Sequence, residues 1–314
     1  MKPILAHHWL ATIPETEFKE SLVSFFLGRV RNPNTFKAYR NALGRFLAWL
    51  GERKTEVTLV RPAMAAVYAA ELGQKYAPNT VKQHLAALSE FYSHLATQGH
   101  IEHNPFSVVK RPRISMTTGK TAALTVPEVK KLIGSIGDSP VEKRDKALLL
   151  VLLYSWLRIS AALNLRRRDV VETDGSLWLN VVEKGSKHRT IPLHPHARRV
   201  FEDYLAELGE MEPDSFVFQS WNRLAKRFSG NQLNAKRAYE MIRRRTKAIG
   251  IQDRKIGCHS TRVTACSTYL STVHGASIDK ARELGGWAKL ETVRLYDRRC
   301  LDDHRAEVEK MSFA

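Results

Sequence analysis

The sequence predicts a mainly α-helical protein in two parts: an N-terminal helical bundle, then a mixed α/β domain with a small antiparallel sheet. Three observations predict it. Residues 16 to about 104 carry apolar side chains at helical spacing, with no β-rich stretch among them. A segment rich in proline, small polar residues and cations, 107–121, then breaks the pattern. Beyond it helical patterning returns, interrupted at 176–193 by two short strand-like runs around a Lys-Gly-Ser-Lys turn. A length of 314 residues suits two domains better than one. We place them at 1–106 and 124–314, joined by a basic linker, 107–123.

The N-terminal elements follow in order. A first helix over Thr16–Arg29 carries Leu22, Val23, Phe25, Phe26 and Leu27. A second over Thr35–Leu50 places Phe36, Tyr39, Leu43, Phe46, Leu47 and Leu50 on one side, with Asn34 or Thr35 as its cap after Pro33. A third runs over Pro62–Leu72. A fourth over Asn79–Gln98 aligns Val81, Leu85, Leu88, Phe91, Tyr92 and Leu95. These aromatic and leucine stripes read as core. His103-Asn104-Pro105-Phe106 ends the bundle.

In the second part, Thr125 and Glu128 have the spacing of a capping box for a helix through Ile133. A strongly apolar helix runs from Asp145 to Trp156. Ser176–Val182 and His188–Leu193 form a hairpin, with a short strand at Asp169–Val171 to extend it. Helices resume at His196–Leu208, Asn234–Ile249, Ser260–Val273, Asp279–Leu284 and Glu291–Tyr296.

Charge narrows the partner. Fifty Lys and Arg stand against 32 Asp and Glu, a formal +18. The excess is spread along the chain, which favours nucleic acid over a membrane surface, where one amphipathic helix or tail would concentrate it. No run approaches about 18 apolar residues, so no transmembrane helix is expected. The opening MKPILAHHWLATIPETEF lacks the long apolar stretch and cleavage site of a signal peptide. Cys258, Cys266 and Cys300 form no CxxC pair and fit reduced thiols in a cytoplasm. The histidines are dispersed, which argues against a zinc site.

The chemistry lies in six scattered residues: Arg158, Lys184, His259, Arg262, Trp287 and Tyr296. Arg158 ends the apolar run LLLVLLYSWL, where a cation is costly to bury without an anion, and no acid lies within one helical turn of it. Lys184 sits on the hairpin turn; lysine suits a proton donor because neighbouring cations and desolvation lower its pKa. His259 and Arg262, three apart, share a helix face and can meet one target. The arginine fork binds two oxygens of a phosphate, and histidine exchanges protons near neutrality. Trp287 offers an indole N–H, a donor only. Tyr296, nine residues on, can act as a nucleophile.

In order, spacing and context these residues resemble the active site of tyrosine recombinases, the phage-integrase family. Trp156-Leu157-Arg158-Ile159-Ser160-Ala161 is similar to the family's Gly-Leu-Arg-Val/Ile-Ser-Glu, with Trp156 for the glycine and Ala161 for the glutamate. Glu183-Lys184-Gly185-Ser186-Lys187-His188-Arg189-Thr190-Ile191-Pro192-Leu193 resembles Gly-Lys-Gly-x-Lys-x-Arg-x-Val/Ile-Pro-Leu, which favours Lys184 over Lys187. Gly285-Gly286-Trp287 stands where the family usually reads Leu-Gly-His; tryptophan there, with His-Ser-x-Arg-Val, looks similar to the branch typified by Cre. Thr35–Arg40 and Pro78–Lys82 resemble the family's SAM-like core-binding domain, less specifically.

The resemblance implies site-specific recombination without metal or cofactor. Tyr296 attacks a DNA phosphate, Arg158 and Arg262 stabilise it, Trp287 adds a hydrogen bond, His259 takes the tyrosine proton and Lys184 protonates the leaving oxygen. It also implies double-stranded DNA as partner, a homodimer per site, a tetrameric synapse and an accessory directionality factor. The tail Leu301–Ala314 suits docking on a neighbouring protomer or a free solvated helix. Expected DNA contacts are Lys37, Arg40, Asn79, Lys82 and Gln83 from the first domain, and Lys236, Arg237, Arg243 and Arg244 from the second. A nucleoid-associated protein of the cytoplasm is the expected setting. Type IB topoisomerase-like relaxation and a non-catalytic DNA-binding role of the same fold are the alternatives.

Overall fold

The computed structural model describes residues 17–30, 32–113, 119, 121–183, 187–297 and 309–311. Lys184 with its turn, Cys300 and most of the tail therefore lie outside the described residues. The chain divides into two compact units, Met1–Ser115 and Met116–Ala314.

The first unit is helical: α1 (Glu17–Arg29), α2 (Pro33–Glu52), α3 (Pro62–Lys75) and α4 (Pro78–Thr97), with a 3-10 turn at Val57–Leu59. The expected cap of α2 is corrected. Asn32 is the cap, its side chain accepting from the N–H groups of Asn34 and Thr35. Pro33 takes the first helical position, where its fixed φ fits and its missing N–H costs nothing, so capping falls to the residue before it. The apolar stripes close on one core in which Leu22, Phe25, Leu43, Phe46, Leu88, Phe91 and Tyr92 are buried. Tyr92 spends its hydroxyl on the carbonyl of Val57 at 3.0 Å, which ties the 3-10 turn to α4.

The second unit comprises α5 (Val126–Gly134), α6 (Pro140–Ser155), α7 (Ile159–Asn164), β1 (Val170–Thr173), β2 (Ser176–Glu183), β3 (Lys187–Pro192), α8 (Pro195–Leu208), β4 (Gln219–Asn222), β5 (Arg227–Gln232), α9 (Ala235–Ala248), α10 (Cys258–Thr272), α11 (Ile278–Gly285) and α12 (Leu290–Arg294). Thr125 and Glu128 make the capping box of α5. The apolar helix α6 begins five residues before the expected Asp145, because Pro140 supplies its first turn. Strands β1, β2 and β3 form one antiparallel sheet in that order, with Glu183 opposite Lys187. A second hairpin, β4–β5, has no counterpart in the sequence reading. Along β2 the alternation is regular: Leu177, Leu179, Val181 and then Glu183 point into the protein.

Two features of this unit build the site. Trp156 ends α6 in the left-handed conformation, φ 54° and ψ 29°. Glycine adopts this backbone freely, whereas a bulky residue pays about 1–2 kcal/mol for it. The indole offsets the cost by burial among Tyr269 and Trp287, at ring-centroid distances of 5.6 and 5.9 Å. With Cys266, Leu270, Ala281 and Val293 these rings form a small core of their own, against which Tyr296 packs. Among the described residues no helix is long and apolar enough to cross a membrane.

Candidate active site

Five of the six expected residues meet; the sixth, Lys184, is outside the described residues. The end of α6 and the start of α7 bring Arg158, which is the cap residue of α7. The first turns of α10 carry His259 and Arg262, three apart as the spacing required. Gly286, left-handed at φ 63°, ends α11 and turns the chain so that Trp287 faces back inward. A single turn, α12, then delivers Tyr296, which lies just beyond the helix rather than at its end as expected.

Tyr296 Oη and His259 Nε2 stand 2.8 Å apart. The ring of Tyr296 also packs edge-on against Trp287, centroids 5.0 Å apart. The guanidinium carbon of Arg262 lies 5.0 Å from the centre of the Trp287 ring. Burial and the guanidinium groups of Arg262 and Arg158 hold the His259 imidazole below its ordinary pKa. It is therefore neutral and able to accept a proton at neutral pH. Burial holds the Tyr296 phenol above its ordinary range, although Arg262 and Arg158 pull the other way. The pair is thus a protonated phenol beside a neutral imidazole, the arrangement of a nucleophile with its base.

The two arginines differ. Arg262 is 1 % exposed. Its Nη1 donates to the carbonyl of Trp156 and its Nη2 to that of Gly285 at 2.7 Å. Burial and Arg158 lower its pKa to about 10, so it keeps its charge at neutral pH. Arg158 has 37 % of its side chain exposed and donates to Glu183 Oε2 at 3.0 Å. The acid absent from its own helical turn thus arrives from β2. Glu183 also lies 3.4 Å from Arg189 Nη1 and 3.6 Å from Arg262 Nη1. Neither Glu183 nor Arg189 was singled out from sequence, although the period-two alternation of β2 already directs residue 183 inward.

Gly285 explains the tryptophan. A Cβ at 285 would lie within 2.5 Å of Trp287 Cη2 and closer still to two other ring atoms. Glycine at 285 leaves room for the indole of Trp287. Among the described residues no group of three or more His, Cys, Asp or Glu side chains could hold a metal ion. Cys258 and Cys266 are buried, and burial pushes the Cys258 thiol up to about 11.

The expected DNA contacts come from both units. In the first unit Lys37 and Gln83 line one concavity with Asn41, Arg45 and Tyr76. Arg40, Asn79 and Lys82 are outside that lining. Arg45 was missed, although positions 37, 41 and 45 form an i, i+4, i+8 stripe on α2; its guanidinium lies 4.5 Å from the centre of the Tyr76 ring. In the second unit Lys236, Arg237, Arg243 and Arg244 lie on α9. Lys236 pairs with Glu240 at 3.8 Å and Arg244 with the buried Asp145 at 3.6 Å.

Comparison with known proteins shows the family. Residues 122–300 match the phage integrase family and 19–99 its N-terminal SAM-like domain. Tyrosine recombinase XerD of Listeria innocua is 27% identical over 272 residues, 84% of this chain and 87% of that protein. Tyrosine recombinase XerC of Thermodesulfovibrio yellowstonii is 29% identical over 265 residues, 84% of this chain and 85% of that protein. In fold, the chain is similar to the XerH site-specific recombinase in a post-cleavage complex with its difH substrate. The TM-score is 0.72 at 19% identity, covering 88% of this chain and 79% of XerH. A lambda integrase dimer bound to a COC' core site gives 0.67 at 16% identity, covering 89% and 95%. With a family match that spans more than half of its length, the chain belongs to the phage integrase family.

Proposed function

We propose that this protein is a site-specific DNA recombinase that cleaves and rejoins double-stranded DNA through a 3′-phosphotyrosyl intermediate. The observation that carries the reading is the 2.8 Å contact between Tyr296 Oη and His259 Nε2, set beside Arg158 and Arg262. Tyr296 Oη attacks the scissile phosphorus and its proton passes to His259 Nε2. The new bond is Tyr296 Oη–P; the bond broken is P–O5′, and Lys184 protonates the departing 5′-oxygen. Arg158 and Arg262 stabilise charge on the non-bridging oxygens, and Trp287 adds an indole N–H. A 5′-hydroxyl of a partner strand then attacks the phosphotyrosine, exchanging strands through a Holliday junction. The covalent link conserves the energy of the broken phosphodiester bond, so the scheme requires no ATP, and Arg158 and Arg262 carry the phosphate charge in place of a metal.

The reading extends to organisation. Residues 1–106 form the DNA core-binding domain, 107–123 the linker and 124–314 the catalytic domain. Two protomers occupy each site and four form the synapse, with an accessory factor to set direction. The setting is the nucleoid of the cytoplasm. We read Trp287 as a mark of the Cre-like branch; Gly285 leaves room for its indole. Trp156 and Ala161 are the departures that favour a non-catalytic DNA-binding protein. The first is absorbed by the Trp156–Trp287 packing, and the second leaves Arg158 with a carboxylate partner in Glu183.

The test is covalent trapping. A nicked suicide duplex carrying a site selected from random duplexes is incubated with wild type and with Tyr296→Phe, then run on a denaturing gel. A protein–DNA band in wild type alone is expected. A band in both means another nucleophile, and tight binding without a band in either returns the non-catalytic reading.

A further inference from the structure

Resting on the recombinase reading, we propose that Glu183 is a positioning residue for the reaction: one buried carboxylate on β2 holds Arg158, Arg189 and Arg262 in register. Two motif departures point to it together. The related arginine motif ends in glutamate where this chain has Ala161, and the related hairpin motif opens with glycine where this chain has Glu183. Strand alternation turns residue 183 to the inner face, and its side chain is 1 % exposed.

The carboxylate reaches three segments at once. Its Oε2 takes Arg158 Nη1 at 3.0 Å, and its Oε1 faces Arg189 Nη1 at 3.4 Å and Arg262 Nη1 at 3.6 Å. Arg189 passes the constraint onward, since its Nη2 donates to the carbonyl of Leu284 at 2.6 Å, near the end of α11. The chain makes room for this group. A Cβ at Gly286 would lie 2.7 Å from Arg189 Nη1 and 2.9 Å from Glu183 Oε2. Ala161, three residues after Arg158 on α7, is where a carboxylate would face Arg158 from the same helix. Three guanidinium groups this close repel one another, and a single carboxylate among them fixes both their spacing and their direction.

Adduct formation by wild type, Glu183→Gln, and Glu183→Gln with Ala161→Glu is measured in single turnover on the suicide duplex, at saturating protein. Duplex affinity is measured in parallel. Glu183→Gln should slow adduct formation on the order of 10- to 100-fold, as for small misplacements of reacting groups, while duplex affinity changes by less than about threefold, since phosphate contacts elsewhere dominate binding. Adding Ala161→Glu should recover at least about tenfold of that loss, by returning a carboxylate one turn from Arg158. A merely structural role would not give a rate rescued from a different backbone position. If Glu183→Gln does not fold, Glu183→Asp keeps the charge but retracts it, and should slow the step; a wild-type rate in Glu183→Asp overturns the proposal. A wild-type rate in Glu183→Gln, or a faster rate with tighter binding, also overturns it, the latter because the carboxylate then competes with phosphate. No rescue in a folded double variant does the same. A wild type that forms no adduct overturns the recombinase reading and this proposal together, whereas the other outcomes strike the proposal alone.

Discussion

Gly285→Ala puts two effects of opposite sign in competition. Gly285 is the last residue of α11, where alanine gains at most about 1 kcal/mol of helix propensity. Against this, the new Cβ would fall within 2.5 Å of Trp287 Cη2. The indole has nowhere to go: it is 5% exposed and packed against Trp156, Tyr296 and the Arg262 guanidinium. Overpacking of this kind costs roughly 1–3 kcal/mol. A shift of the Gly285 carbonyl also weakens its 2.7 Å bond from the buried Arg262. Hydrogen bonds to charged groups contribute about 1.5–3 kcal/mol. The clash wins, with a net loss of about 2–4 kcal/mol. For a unit of this size each kcal/mol lowers the midpoint by about 2–4 °C, so the thermal transition reported by tryptophan fluorescence should fall by roughly 5–15 °C. Adding Trp287→His removes the benzo ring that the methyl meets. The two changes should therefore be non-additive by at least about 1 kcal/mol. If Gly285→Ala is as stable as wild type or more so, helix propensity has prevailed and the packing argument fails.

Two further outcomes follow from the charges. The His259 imidazole, followed by NMR, should titrate below its ordinary value of about 6.5, and Arg158→Gln should move the midpoint up by removing a nearby cation; a wild-type midpoint above the ordinary value would refute the electrostatic account. The same shift has a stability sign: a folded-state pKa below the unfolded one means that this histidine withdraws stability as pH falls from about 6.5 toward the folded midpoint, and has no effect well above about 6.5. In the N-terminal unit, Lys37→Ala with Arg45→Ala should reduce the slope of log K against log salt for duplex binding by about 0.9 for each phosphate no longer neutralised. An unchanged slope would remove the concavity on α2 and α4 from the DNA interface.

Periodicity made most of the helices legible, because each buries one stripe on a shared core; Leu43, Phe46 and Leu88 are buried in the bundle at the spacing the sequence shows. Capping chemistry was legible where it was local, as at Thr125 and Glu128, and misassigned at α2, where proline moved the cap one residue back. The β4–β5 hairpin escaped notice because its strands are four and six residues long, with β5 largely exposed and no apolar alternation to mark it. The short helix α7 was hidden for a related reason, since it follows a left-handed residue that is tryptophan rather than glycine. At the site, motif order was enough to pick out residues that meet in space. Their counter-charge was not legible, because the acid beside Arg158 is 25 residues away in sequence and joins it only when β2 forms.

The site is built to want an anion. Three guanidinium groups surround one carboxylate, so positive charge is in excess, and of the three Arg262 lies 5.0 Å from the centre of the Trp287 ring. The backbone bears part of the load: both terminal nitrogens of Arg262 are committed to carbonyls, those of Trp156 and Gly285. These bonds fix the guanidinium without neutralising it, and its pKa near 10 leaves it charged. In the proposed mechanism the two arginines therefore divide the work. Arg158, open to solvent over a third of its side chain, is the one poised to hydrogen-bond a phosphate oxygen. Arg262 acts from behind through its field, at short range and in a region from which water is largely excluded, where a fixed charge is worth far more than in solution. Burial depresses the pKa of His259 and the same field adds to it, while the field draws that of Tyr296 down against burial, so the cations that would hold the substrate also help tune the base and the nucleophile that would act on it.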